Sequence, residues 1–321
     1  MDAATPRSAT VPAVPPVPGQ TAGLRVHLAL LLVQLSFGGF HVVAKAVLSQ
    51  MEPLALAAIR VAIASPILAL MAWRHDRVLP HARDMPRLAF LGSLGIFANQ
   101  ILFIVGLKYT TATNASILMT SLPVFAVATA AILGIERIGP RRLLGIVLSV
   151  AGALFLVNPF RFQGGQSATL GNTLVLLNAL AYALFLVLQR PLLARIPWRT
   201  LIAWSFLWGG AGVVIVGAPA LARLDFAAVP VSTWLGVAYI ILFATVFAYA
   251  VNTWAVRRSS PALVATYGTL QPLVAVLLAA SFLGERFGWV EGIGFALIVA
   301  GLFQVSRPKP SAAPASPAQP E

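Results

Sequence analysis

The sequence has no cysteine, few acidic residues and little charge of any kind. Without cysteine there is no disulfide, no thiolate metal site and no thiol catalysis. Only 10% of the residues are charged while 59% are hydrophobic, and the mean hydropathy of +0.88 lies far outside the range of soluble domains. These values exclude a soluble globular domain and predict a protein that crosses the membrane many times.

The shortage of acidic residues limits the mechanism. Nine Asp and Glu stand against 22 Lys and Arg, and all nine fall in a tail, a connection or at the end of an apolar run. Proton coupling through a carboxylate at mid-membrane is therefore excluded. His41 is the one side chain at depth that is suited to proton transfer, and facilitated or exchange transport is the alternative.

Other classes of function find little support in the sequence. The basic residues occur in short clusters between apolar runs, as in cytoplasmic loops, so the net charge of +13 does not indicate nucleic-acid binding. The four histidines are scattered along the chain. The apolar runs contain no nucleophile–base set, and the sequence shows no metal cluster or phosphate loop. We therefore expect no enzymatic activity, no metal and no cofactor.

Ten apolar runs are present, each close to the ~20 residues that a bilayer core requires. Backbone amides in lipid must be satisfied within their own segment, and runs of this length are too long for barrel strands, so all ten are predicted to be helices. The predicted fold class is an all-α polytopic membrane protein. The runs cover roughly residues 26–48, 53–73, 88–107, 111–134, 142–158, 170–189, 200–220, 232–255, 261–283 and 288–305.

The distribution of Lys and Arg predicts which connections face the cytoplasm. With the N-terminus inside, the cytoplasmic side collects 16 of the 22 cations and the opposite side four, while Lys45 and Arg60 fall within apolar runs. Both termini are therefore expected in the cytoplasm. The expected partners are the lipid bilayer and a small-molecule substrate, and the sequence leaves the oligomeric state open.

The second half of the chain repeats the first. Sliding the sequence by 149 positions lays 106–154 on 255–303 without a gap. Because each half holds five helices, an odd number, the second copy must be inverted in the membrane. The matches include Thr120 with Thr269, Pro123 with Pro272, Glu136 and Arg137 with Glu285 and Arg286, Gly145 with Gly294, and Gly152 with Gly301.

This repeat divides the chain into five parts. The tails, 1–23 and 306–321, are rich in Pro, Ala and Ser and are predicted to be disordered and cytoplasmic. The two five-helix repeats occupy 24–158 and 170–305, and an external linker, 159–169, joins them.

Polar residues follow one face of the first helix and one face of the sixth. Their spacing of i, i+4, i+7 and i+11 puts four residues of each helix on the same side. Each face either lines a substrate path or bridges packed helices by hydrogen bonds. The two helices correspond at an offset of 144 or 145. The residues are Gln34, Gly38, His41 and Lys45, then Asn178, Tyr182, Phe185 and Gln189.

Two cations within apolar runs require a partner or water, because an unpaired Arg at depth costs about 2.5–3.5 kcal/mol. Lys45 and Arg60 could form a cationic patch for a substrate carboxylate or phosphate. Alternatively, Arg60 forms a structural ion pair with Glu52, two turns earlier on nearly the same face. Large polar residues on the third, eighth and ninth helices complete the predicted substrate-binding set, which is His41, Lys45, Arg60, Asn99, Tyr249, Asn252, Tyr267 and Gln271.

Three segments resemble the EamA-like permeases of the drug/metabolite transporter superfamily. They are LKYTTATNASILMTSLPVFAVATAAILGIERIGPRRLLGIVLSVAGALFLV, its copy in the second half, and PLALAAIRVAIA around Arg60. The resemblance covers about residues 26–305. It implies ten transmembrane helices in two inverted five-helix repeats, with a central cavity bounded by helices 1, 3, 4, 6, 8 and 9.

The resemblance also implies export of amino acids or other small metabolites across the inner membrane. The two lone cations favour a substrate with an anionic group. Because the shared motifs belong to the scaffold, they do not identify the substrate. An exporter of toxic compounds or lipid precursors is the alternative, and a membrane receptor or scaffold that transports nothing is a third reading.

Overall fold

The structure is a computed structural model that describes residues 23–110, 115, 118–135, 138–157, 166–274 and 289–306. All but one residue of each predicted tail, most of the linker 159–169 and both Glu-Arg turns of the repeat lie outside the described residues. The described residues form helices joined by short connections, and no strand occurs among them. The predicted all-helical class is confirmed.

We number the helices in chain order and treat two of them as composite. Helix α3 runs from Met85–Gly92 through a π-helical stretch, Ser93–Ala98, into Asn99–Tyr109. Helix α8 runs from Val231–Ile241 through a second π-helical stretch, Leu242–Phe247, into Ala248–Arg258. The others are α1 Leu24–Val47, α2 Pro53–His75, α4 Leu122–Ile132, α5 Pro140–Val157, α6 Gln166–Leu193, α7 Trp198–Ala222, α9 Pro261–Tyr267 and α10 Trp289–Ser306.

Six helices in the described part of the chain are long and apolar enough to cross a membrane. The chain is therefore a multi-pass membrane protein, whereas the full number of ten spans stays a prediction. The six segments are Leu24–Val47, Pro53–His75, Ala82–Tyr109, Thr169–Leu193, Trp198–Ala222 and Val231–Arg258.

The two π-helical stretches stand at matching places in the two halves. Ser93–Ala98 and Leu242–Phe247 are separated by 149 positions, the offset at which the sequence repeats. A π-helical stretch is rare, and it weakens the regular ladder of main-chain hydrogen bonds. The two halves therefore share this irregularity at equivalent positions of the repeat.

Helices α5 and α10 pack together through glycines. A Cβ atom added to Gly145 would lie 2.7 Å from the carbonyl oxygen of Gly301, and one added to Gly152 would lie 2.7 Å from that of Gly294. Only glycine permits main chains to approach so closely. The contact is reciprocal, because Gly145 matches Gly294 in the repeat and Gly152 matches Gly301.

Two cations hold equivalent helix ends. Lys45 Nζ donates to the carbonyl oxygen of Thr110, just past α3, at 2.6 Å, and Arg190 Nη1 donates to that of Ser259, just past α8, at 2.6 Å. The acceptors are 149 positions apart and the donors 145 positions apart. These bonds favour 145, one of the two offsets that the sequence left open for α1 and α6.

Pro123 and Pro272 each follow a break in a helix. Pro123 lies in the first turn of α4, and Pro272 follows the 3-10 turn Gly268–Leu270 after α9. Proline is well tolerated in a first turn, where no helical partner exists for the missing N–H. In both halves the helical path is therefore interrupted just before the equivalent proline.

Buried carboxylates tie the connection after α2 to the start of α7 and to the connection before it. Asp76 Oδ1 accepts a bond from Arg199 Nη1 at 3.1 Å, while Asp76 Oδ2 accepts one from the hydroxyl of Thr200 at 3.0 Å. Asp84 Oδ1 lies 3.4 Å from Arg195 Nη2. These contacts join the first predicted repeat to the second on the side expected to face the cytoplasm.

Candidate functional site

Seven helices contribute to one cavity, namely α1, α2, α3, α4, α6, α8 and α9. The space between these helices that no protein atom fills amounts to about 570 Å³, with the open space at its mouth included. The six helices that the family resemblance implied are all present, and α2 is added because Arg60 reaches the wall.

Six of the eight residues predicted to bind substrate line this cavity. They come from α1, α2, α3, α8 and the segment after α9, so helices far apart in sequence bring them together. The six are His41, Arg60, Asn99, Tyr249, Asn252 and Gln271. Lys45 and Tyr267 do not line it.

Arg60 is a buried cation, only 3% exposed. Its Nε donates to Thr245 Oγ1 at 2.5 Å and its Nη2 donates to the carbonyl oxygen of Ala244 at 3.1 Å. Its guanidinium carbon lies 4.6 Å from the centre of the Phe40 ring. The alternative ion pair with Glu52 is absent, because Glu52 Oε2 lies 3.6 Å from Arg223 Nη2 instead.

Among the residues that the structure describes, the positive charge of Arg60 therefore contacts only neutral groups. Its Nη1 has no hydrogen-bond partner among the described residues, and the side chain lines the cavity. A buried charge without a counter-charge is unfavourable. An anion entering the cavity would supply both the missing charge and an acceptor for Nη1.

The π-helical stretches provide two of the acceptors at the site. The carbonyl of Ala244 in α8 accepts from Arg60, and the carbonyl of Gly95 in α3 accepts from the Tyr249 hydroxyl at 3.2 Å. Gly95 and Ala244 are 149 positions apart. The carbonyl oxygens at equivalent positions of the two halves are thus both accessible to side chains of other helices. Arg60 of α2 binds one and Tyr249 of α8 binds the other.

His41 presents an acceptor to the cavity. Its Nδ1 lies 2.9 Å from the carbonyl oxygen of Phe37, one turn earlier, and a carbonyl only accepts, so Nδ1 carries the proton. In the neutral imidazole Nε2 is then an acceptor, and this buried atom has no partner among the described residues. The ring packs edge-on against Phe103 at 5.5 Å between centres.

Amides and tyrosines form the remaining polar wall. Asn178 Nδ2 donates to the carbonyl oxygen of Asn99 at 2.7 Å. The Tyr249 hydroxyl shares its one proton between the Asn99 side chain and the carbonyl of Gly95. Asn252 Nδ2 donates to the Tyr182 hydroxyl at 2.8 Å. Gln271 Nε2, in the segment after α9, donates to Gln34 Oε1 of α1 at 3.1 Å.

The predicted set omitted two kinds of lining residue. Gln34, Asn178 and Tyr182 belong to the polar faces that the sequence singled out on the first and sixth helices, and all three line the cavity. The apolar lining residues could not be identified from the sequence, because one more Phe or Leu does not stand out in an apolar helix. They include Phe37, Phe40, Phe103, Met119, Leu122 and Leu186.

The two predicted residues outside the cavity have other partners. Lys45 Nζ donates to the carbonyl oxygens of Leu107 at 2.8 Å and Thr110 at 2.6 Å, so it caps the C-terminal end of α3. The Tyr267 hydroxyl lies 2.6 Å from His27 Nδ1, near the start of α1. Lys45 and Tyr267 therefore join helices.

Comparison with known proteins adds a family and a fold. The family model described as "EamA-like transporter family" matches the chain twice, over residues 24–158 and 169–307. One solved crystal structure is similar with a TM-score of 0.70 at 18% identity, covering 88% of this chain and 96% of the other. At that identity the similarity concerns the fold alone.

Two curated relatives carry informative names. An "uncharacterized transporter" of Archaeoglobus fulgidus is 30% identical over 285 residues, which is 87% of this chain and 96% of the relative. A "probable terminal-alkyne amino-acid exporter" of Streptantibioticus cattleyicolor is 29% identical over 249 residues, which is 77% of this chain and 82% of the relative.

Proposed function

The chain belongs to the EamA-like transporter family, as the resemblance in its sequence indicated, and on that basis we propose that it exports amino acids or similar small metabolites across the inner membrane. The substrate binds in the cavity between the helices and carries an anionic group. Transport proceeds by alternating access, in which the two halves expose the cavity to each side of the membrane in turn.

Arg60 is the observation that carries this proposal. It is the cation of a cavity whose described walls hold no carboxylate, and its Nη1 remains available. A guanidinium binds carboxylates through geometrically matched hydrogen bonds. The amino-acid exporter among the relatives, at 29% identity, is consistent with a substrate of this class.

The two halves act as inverted repeats in this proposal. Support comes from the double match of the family model, from the π-helical stretches 149 positions apart, and from the reciprocal glycine contacts of α5 with α10. Alternating access then amounts to exchanging the conformations of two similar halves. The excess of Lys and Arg on one side supports a cytoplasmic location of both termini.

Arg60→Gln tests the proposal, with Lys45→Gln as its control. Both substitutions remove one cation that lies within a membrane helix, but only Arg60 lines the cavity. We expect purified R60Q in proteoliposomes to take up labelled amino acids at least tenfold more slowly than wild type. A hydrogen bond to a charged group contributes about 1.5–3 kcal/mol to binding, and its loss corresponds to a change of this size. K45Q should retain uptake per folded molecule.

Two results would contradict the proposal. Equal uptake by wild type and R60Q would show that Arg60 does not bind an anionic group of the substrate. Transport of hydrophobic drugs or lipid precursors, with no amino acid transported, would favour the alternative exporter. The amount of folded protein is checked by size-exclusion chromatography, so that misfolding is not mistaken for lost binding.

A further inference from the structure

Besides Arg60 Nη1, which is a donor, four buried side-chain atoms on the cavity walls lack a hydrogen-bond partner among the described residues. All four are placed as acceptors. They are His41 Nε2, Asn178 Oδ1, Asn252 Oδ1 and Gln271 Oε1. A ligand that satisfies them must therefore bring hydrogen-bond donors.

Chemistry fixes the polarity of two of these acceptors. The amide nitrogen of Asn178 is bound to a main-chain carbonyl, the one from Asn99, so its oxygen must face the other way. His41 Nδ1 is likewise held by the carbonyl of Phe37, which leaves Nε2 of the neutral ring as acceptor. The partners of Asn252 and Gln271 are a hydroxyl and an amide, which accept either orientation.

We infer that His41 Nε2 and Asn178 Oδ1 bind an amino group of the substrate while Arg60 binds its carboxylate. This assignment rests on the proposed function and narrows it. The two groups make the site selective for amino-bearing carboxylates over the same carboxylates without the amino group. Phe37, Phe103 and Leu186 enclose the apolar remainder of the substrate.

The selectivity has a physical cause. An ammonium group leaving water needs acceptors for its N–H groups, and buried neutral oxygens and imidazole nitrogen supply them. A substrate without the amino group leaves the same acceptors buried and unsatisfied. Sites built to hydrogen-bond a substrate reject analogues that lack the bonding group far more strongly than sites that only match size.

Three solutes with one apolar body test the assignment on the full-length protein. Leucine carries both groups, 4-methylpentanoate lacks the amino group and 3-methylbutylamine lacks the carboxylate. We expect leucine to bind at least tenfold more tightly than either analogue, measured by thermal shift and by competition for uptake in proteoliposomes.

Substitutions then locate the selectivity. Asn178→Leu keeps the branching at Cγ and removes the acceptor, so it should weaken leucine binding at least tenfold and change 4-methylpentanoate binding less than threefold. Gln189→Leu is the matched control, because Gln189 is another fully buried amide of α6 without partners among the described residues and lies off the cavity. It should leave the ratio of the two affinities unchanged. His41→Phe repeats the test if N178L does not fold.

The outcomes separate this inference from the proposed function. Equal binding of leucine and 4-methylpentanoate by wild type, with both lost in R60Q, would overturn the amino-group site and keep the anion transporter. An unchanged ratio in both N178L and H41F would also overturn it. Binding of neither carboxylate to wild type would overturn both conclusions.

Discussion

At the scale of single residues, Arg60 and Lys45 show what a sequence can and cannot resolve. Both are lone cations within apolar runs, so the sequence identifies both as candidates. Their roles depend on which main-chain oxygens lie nearby. Lys45 donates to three carbonyls at the end of α3. Arg60 donates to one carbonyl and one hydroxyl, and its Nη1 has no partner in the described part of the chain.

The partners of these cations leave no mark in the sequence, because a carbonyl belongs to every residue type. Glu52 was a reasonable partner for Arg60 by helical spacing, yet it sits at the N-terminal boundary of α2 and reaches Arg223 across the surface. The polar residues, by contrast, are rare in apolar helices and were therefore easy to find.

At the scale of helices, the glycine contacts were predictable and the π-helical stretches were not. Glycines aligned between the halves indicated close helix packing, and α5 meets α10 through four of them. A π-helical stretch needs no special residue type. Its function is nevertheless visible, since Gly95 and Ala244 offer carbonyl oxygens to Tyr249 and Arg60.

A second glycine contact predicts a stability change. Gly92 of α3 and Gly209 of α7 touch through their main chains, and a Cβ added to Gly209 would overlap the carbonyl of Gly92 and lie 2.8 Å from Ile96 Cβ. We expect Gly209→Ala to destabilise the protein by about 1–3 kcal/mol. The measurement is the melting temperature in detergent, which should fall by several degrees.

Gly212→Ala is the control for this substitution. On the same helix, its added Cβ would meet only the ring of Phe97, at 2.9 Å, and a side chain can move aside. G212A should melt close to wild type. A melting temperature for G209A equal to that of G212A would show that the contact of α3 with α7 is looser than described.

At the scale of the whole molecule, the division into two related parts could be predicted from the sequence. The offset of 149 could be determined because matching Pro, Gly and charged pairs are informative in so apolar a chain. The offset between α1 and α6 could not be determined, because the polar residues of the two helices match at two registers. The bonds from Lys45 and Arg190 to equivalent helix ends favour 145.

Inverted repeats predict that equivalent connections face opposite sides of the membrane. Ser49, after α1, and Ala194, after α6, are exposed and 145 positions apart. Because the protein has no cysteine, single cysteines can be placed there without a background. In whole cells, a membrane-impermeant thiol reagent should label S49C directly and A194C only after the membrane is opened. Labelling of both from the same side would contradict the inversion.

The most direct measurement is the accessibility of the cavity itself. Leu186 and Leu68 are both fully buried apolar side chains, but only Leu186 lines the cavity. In oriented vesicles, L186C should react with an impermeant thiol reagent added to either side, and an amino acid that is transported should slow the reaction, while L68C stays unreactive. Reaction of L186C from one side only, or from neither, would contradict a transporter that exposes this cavity to both sides of the membrane.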